Sequence, residues 1–168
     1  MLKLAVAAAV TATLALASGS VLAQTASASF QVKMTIVKSC SVTAGTTSDI
    51  SLGTAVLPTA TNQTGSNTIS VTCSKTTPYN VGLAPSTANS GTVNGTGFMS
   101  SATNSDKVPY ALYSDSTFGA AWGSTIGTNT VGGTGDGAAA SLTVYAKNTN
   151  ANFTPGSYAD TVTVTVTY

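Results

Sequence analysis

Histidine, arginine and glutamate are missing from this chain altogether, and charged residues of any kind fill only 7% of its 168 positions. Each absence excludes something. Without His, a serine or cysteine nucleophile would have to rely on Lys or Asp as its base, and there is no G-x-S-x-G elbow to activate. Without His or a third Cys, a zinc site cannot be completed around Cys40 and Cys73. Without Arg, and with Lys balancing Asp beyond residue 23, the chain offers no electrostatic footprint for nucleic acid or an anionic membrane. A carboxylate pair, Asp106 and Asp115, is the nearest approach to glycoside chemistry, but both stand beside turns, where Asp is ordinarily structural. The stretch Gly132 to Gly137 has the glycines of a calcium-binding nonapeptide, yet Asp136 falls one position early and the unit occurs once. No catalytic residue, metal ligand or cofactor is therefore assigned.

What is present is the composition of an exported β protein: Thr, Ser, Gly and Asn dominate, as in domains with many turns. Lys3, the apolar run Leu4 to Leu16 and the small-residue spacing of Val21-Leu22-Ala23 predict a secretory signal peptide over residues 1–23. Ala, Thr and Ser dilute that run and Ser18-Gly19-Ser20 interrupts it, which disfavours a membrane anchor. Gln24 would then begin the exported chain, which is long enough for one domain with its own core. An even cysteine pair in such a chain predicts a Cys40–Cys73 disulfide, contributing roughly 3–4 kcal/mol in the chain-entropy account.

Alternation of period two is the strongest signal. At the end of the chain, Val162, Val164, Val166 and Tyr168 share one parity and Thr161, Thr163, Thr165 and Thr167 the other, predicting a strand with an apolar and a hydroxyl face. Its apolar face and at least one edge must be covered by an earlier part of the sequence or by another chain. A second alternating run, Ala28, Phe30, Val32, Met34 and Ile36, is interleaved with Ser29, Gln31, Lys33 and Thr35. Taken alone, it reads equally as an ordinary first strand.

Between these runs, strands are expected at 41–43, 50–53, 68–73, 79–84, 108–113 and 140–147. Residues 58–66, 85–97 and 125–137 read as loops and turns, with Asn94-Gly95 as a hairpin signal. Pro109 would push its strand to an edge or a bulge, and Trp122 suits a core position better than a sugar site. No segment beyond the signal peptide has helical periodicity. Seven or eight strands at this spacing predict an all-β sandwich.

The order of landmarks resembles a known family. Cys40, Ser70-Val71-Thr72-Cys73, Pro78-Tyr79, Pro109-Tyr110-Ala111-Leu112-Tyr113, Asp115, Trp122-Gly123 and Thr143-Val144-Tyr145 lead to a closing Pro155-Gly156-Ser157-Tyr158-Ala159-Asp160 block. Together they are similar to the spore coat protein U domain, the pilin domain of archaic chaperone–usher pili. One position departs: Gly97-Phe98 stands where a basic residue is expected before Met99. The resemblance implies an incomplete immunoglobulin-like β-sandwich lacking its last strand, with residues 24–38 as an N-terminal donor extension and 39–168 as the pilin domain. Val162, Val164, Val166 and Tyr168 would edge an acceptor groove. A periplasmic pilus chaperone would first fill it, and Ala28, Phe30, Val32, Met34 and Ile36 of another copy or a related pilin would replace the chaperone, an outer-membrane usher assisting. The implied role is a secreted structural subunit of a cell-surface pilus supporting adhesion and biofilm formation. The alternative within the same family is a spore-coat or surface-binding, adhesin-type protein. The absence of a chemical constellation argues against an enzyme.

Overall fold

The computed structural model describes residues 23–168, so the signal-peptide expectation lies outside the described residues except at Ala23. Two compact units divide the chain between Thr35 and Ile36. In the first, residues 24–35 form neither strand nor helix. The second, residues 36–168, carries all the β structure among the described residues.

Eight strands build that second unit: β1 Cys40–Thr43, β2 Gln63–Cys73, β3 Pro78–Pro85, β4 Thr96–Ser100, β5 Lys107–Tyr113, β6 Val131–Thr134, β7 Ala139–Asn148 and β8 Val162–Thr167. They form a five-stranded sheet in the order β1-β2-β7-β5-β4 and a three-stranded sheet in the order β6-β3-β8, antiparallel throughout. Alternation decides which side of each strand is buried. Ile69, Val71 and Cys73 of β2, Tyr79, Val81 and Leu83 of β3, Tyr110 and Leu112 of β5, and Val144 and Ala146 of β7 meet between the sheets. The fold is an all-β, immunoglobulin-like sandwich.

Two connections complete the core. Trp122, 1% exposed, fills the space beside β3 and donates its indole N–H to the Val81 carbonyl at 2.8 Å. Large apolar area is thereby buried without orphaning the ring nitrogen. Cys40 and Cys73 face each other at the end of the β1–β2 ladder and are joined, so a strand of only four residues is clipped to its neighbour.

Four expectations need correction, each for a physical reason. Residues 63–66, read as loop, begin β2, because Gln63 to Ser66 pair with Asn148 to Tyr145 of the long β7. The start of β4, Thr96-Gly97, and all of β6, also read as loop, are strand, and Gly97 and Gly133 make room for aromatic rings. A Cβ at Gly97 would stand 2.7 Å from Pro85 and 3.2 Å from the Tyr110 ring, and one at Gly133 2.5 Å from the Tyr79 ring. The departure at Gly97-Phe98 thus lies in a paired strand. Pro109 does not place β5 at an edge, since β5 runs between β7 and β4. Its register with β7 begins only at Ala111, and the Asn148 amide donates to the Pro109 carbonyl at 2.7 Å, so no β7 ladder bond is asked of the proline. Finally, 50–53 is not a strand. Ile50 and Leu52 turn inward against the core while Ser51 and Gly53 face out, so the alternation is real but the backbone has no ladder partner among the described residues.

Candidate functional site

β8 lies at the margin of the three-stranded sheet, with β3 on one side and, among the described residues, no strand on the other. β1 is the margin of the five-stranded sheet and comes close to β8. After Thr43 the chain leaves the sheet through a short 3-10 turn at 46–48. From there to Leu52 it faces β8 across a cavity of about 460 Å³.

The cavity floor is the core itself: Ile69, Leu83, Leu112 and Val144. One wall is Val162 and Val164; the other runs from Ala44 to Leu52. A second cavity of about 710 Å³ extends between 50–58 and 153–158, and the two share Ile50, Leu52, Met99 and Tyr158. The result is one groove, apolar at its base, bordered by strand-edge backbone along β8. Unpaired edge N–H and C=O groups over an apolar floor are a template for an added strand.

The wall leading into β8 is held by a carboxylate. Asp160 accepts from the Tyr110 hydroxyl at 2.6 Å and the Ser86 amide at 3.3 Å on one oxygen, and from the Asn89 amide group at 2.8 Å on the other. Burial, reinforced by the hydrogen bond to Asp160 and that carboxylate's charge, pushes the Tyr110 phenol far above the ordinary tyrosine range. Ala159 exchanges backbone bonds with Ser100 at 2.9 and 3.0 Å, and the Tyr158 hydroxyl donates to the Thr154 carbonyl at 2.6 Å. The Pro155-to-Asp160 block is thus a clasp that ties the start of β8 to β4, β5 and the 86–89 turn. Sequence reasoning noticed the block but assigned no role to Asp160, Tyr110 or Asn89. Its signal was a lone acid and a lone Tyr directly before an alternating strand.

The expected acceptor residues fall unequally. Val162 and Val164 line the cavity; Val166 shares their half-buried face without lining it, and Tyr168, 57% exposed, lies beyond β8. Phe30, Val32, Met34 and Ile36 are 88, 89, 81 and 78% exposed, and Ala28 is exposed as well. A run of large apolar side chains this exposed is uncommon in a folded chain.

Asp106 and Asp115 are not assembled into a carboxylate site. Asp106 accepts from the Thr154 amide, which lowers its pKa. Asp115 accepts from the Thr117 hydroxyl and from the Ala120, Gly119 and Thr117 amides, bonds that bring it down to about 2. Asp115 is spent on its own turn, and Asp106 ties its loop to Thr154, 48 residues on. Among the described residues, no group of three or more His, Cys, Asp or Glu is placed to hold a metal ion.

A family model for the spore coat protein U domain matches residues 26–165. The chain belongs to that family. Comparison with curated proteins gives no match. Among solved structures, this spore coat protein U domain is similar to a chain in the CsuC-CsuE chaperone-tip adhesion subunit pre-assembly complex, from archaic chaperone-usher Csu pili of Acinetobacter baumannii. That similarity has 20% identity and a TM-score of 0.49, and covers 80% of this chain but only 41% of that one.

Proposed function

We propose that this protein is an exported structural subunit of an archaic chaperone–usher pilus, and that it polymerises by donor-strand complementation. Residues 1–23 direct export, residues 24–38 form the donor extension, and residues 39–168 form the accepting domain. The observation that carries the reading is the groove beside β8, apolar at its floor and, among the described residues, without a strand at its edge. The chain also carries a segment of the right character to fill such a groove in a neighbour. Ala28, Phe30, Val32, Met34 and Ile36 lie on one parity and are exposed. A periplasmic chaperone occupies the groove before assembly, an outer-membrane usher exchanges it for the next subunit, and the fibre serves adhesion and biofilm formation at the cell surface.

Side-chain parity tests the proposal. Each large apolar residue entering a neighbour's groove contributes roughly 1.5–3 kcal/mol of burial before entropy is subtracted. Val32→Asp places an unpaired charge in that groove and should abolish denaturant-resistant multimers on unboiled gels, with chaperone and usher supplied. Lys33→Asp, on the opposite face, should leave the final ladder intact. Equal loss from both would refute the parity argument, and survival of both would remove residues 28–36 from the donor role.

A further inference from the structure

The wall of the groove opposite β8 has the parity of a strand without a partner: Asp49 and Ser51 face out, Ile50 and Leu52 face in. The charged residues lining the cavity of about 460 Å³ beside β8 are Asp49 and Asp160, and no lysine is among them. Asp160 is already engaged by Tyr110, Asn89 and Ser86. Asp49 is exposed, and its position is pinned through its backbone, whose carbonyl accepts from the Asn67 amide group at 2.8 Å. Residues 24–38 contain Lys33 and Lys38 and no acid. Lys38 sits two residues before β1 of its own domain, which leaves Lys33 as the cation within the alternating run.

Resting on the donor reading above, we propose that Asp49 receives Lys33 of a second copy. This single ion pair between subunits selects the register of the inserted strand and speeds its docking. The parity of the two segments makes the pairing self-consistent in either strand direction. With Lys33 opposite Asp49, an antiparallel donor brings Val32 opposite Ile50 and Phe30 opposite Leu52. A parallel donor brings Met34 opposite Ile50 and Ile36 opposite Leu52. A slip of one residue exposes the whole apolar set and is excluded by burial. A slip of two keeps apolar against apolar but moves Lys33 to Ser51. Only the charge pair discriminates against that slip, since opposite charges directly across a strand pair attract. Because the pair lies at the rim, its effect falls on association rate and salt dependence more than on final stability.

The test follows multimer formation by the full chain after release from its chaperone, at about 0.01 M and about 1 M salt, where the screening length is about 30 Å and 3 Å. At low salt, Lys33→Asp and Asp49→Lys should each slow assembly by about 3–10-fold, and Lys33→Gln by less. The exchange variant carrying both reversals should recover wild-type speed, and all four should converge at high salt. Single variants as fast as wild type at low salt, or an exchange variant no faster than the slower single, would overturn the pairing. Val32→Asp separates the two levels of the argument. If it blocks assembly while the charge variants behave as wild type, only the ion pair is wrong. If it assembles normally, the donor reading fails and the ion pair with it.

Discussion

Replacing Asp160 by Ala should destabilise the domain more than any other single change outside the core. The carboxylate gathers three donors from two parts of the chain distant in sequence, at 2.6, 2.8 and 3.3 Å. Hydrogen bonds to a charged group contribute about 1.5–3 kcal/mol each, and the half-buried position of Asp160 scales that down. Tyr110 is only 8% exposed, so its hydroxyl is left without an acceptor, at a cost of about 1–3 kcal/mol. About 3 kcal/mol is the expected total. Tyr110→Phe removes one donor and leaves the other two bonds, for about 1 kcal/mol. The two residues touch, so the double variant should fall short of additivity by about 1 kcal/mol. Trp122, the only tryptophan and buried, reports unfolding by its fluorescence in urea titrations of samples matched for assembly state. The pH dependence has a defined sign. The folded chain keeps the Tyr110 proton, whereas an unfolded tyrosine releases it near about pH 10. The phenol's contribution is therefore complete below that pH and is lost as pH rises above it. Tyr110→Phe should show a shallower alkaline decline. An Asp160→Ala variant within about 0.5 kcal/mol of wild type, or strict additivity with Tyr110→Phe, would refute the clasp.

Two further outcomes are expected. Residues 38–168 expressed without the extension and without a chaperone should give little soluble monomer, because the groove leaves β8 backbone and the core floor open; a cooperatively melting monomer would contradict this. Intact mass should rise by two hydrogens on reduction, and Cys40→Ser with Cys73→Ser should lower stability by about 3 kcal/mol, since β1 is a four-residue edge strand held by the pair; an unchanged melting curve would show that the ladder alone suffices.

How far the fold could be read from the residues depended on whether an element's signal was local. β8, β5 and β7 carry their own alternation, and each is a strand where apolar residues recur at every second position. β4 and β6 do not. Gly97 and Gly133 remove the apolar rhythm because rings from other strands occupy that space, and no single-segment pattern records a neighbour's ring. The first half of β2 is set by the length of β7 rather than by its own polar residues. Ile50 to Gly53 failed in the opposite way. Its alternation reflects burial against the core, while strand formation needs a backbone partner that the chain does not place beside it. The groove was legible as a strand whose edge lacked an evident cover. Its other wall, and the Asp160 clasp, required knowing that residues more than 70 positions apart meet.

Electron cryo-microscopy of the assembled fibre tests the central claim most directly. The account predicts density for residues 28–36 of one subunit running beside β8 of the next, with Phe30, Val32, Met34 and Ile36 pointing into the groove between β8 and the wall at 44–52. Intact fibres in which that groove is filled by a subunit's own residues, or by no strand at all, would contradict it.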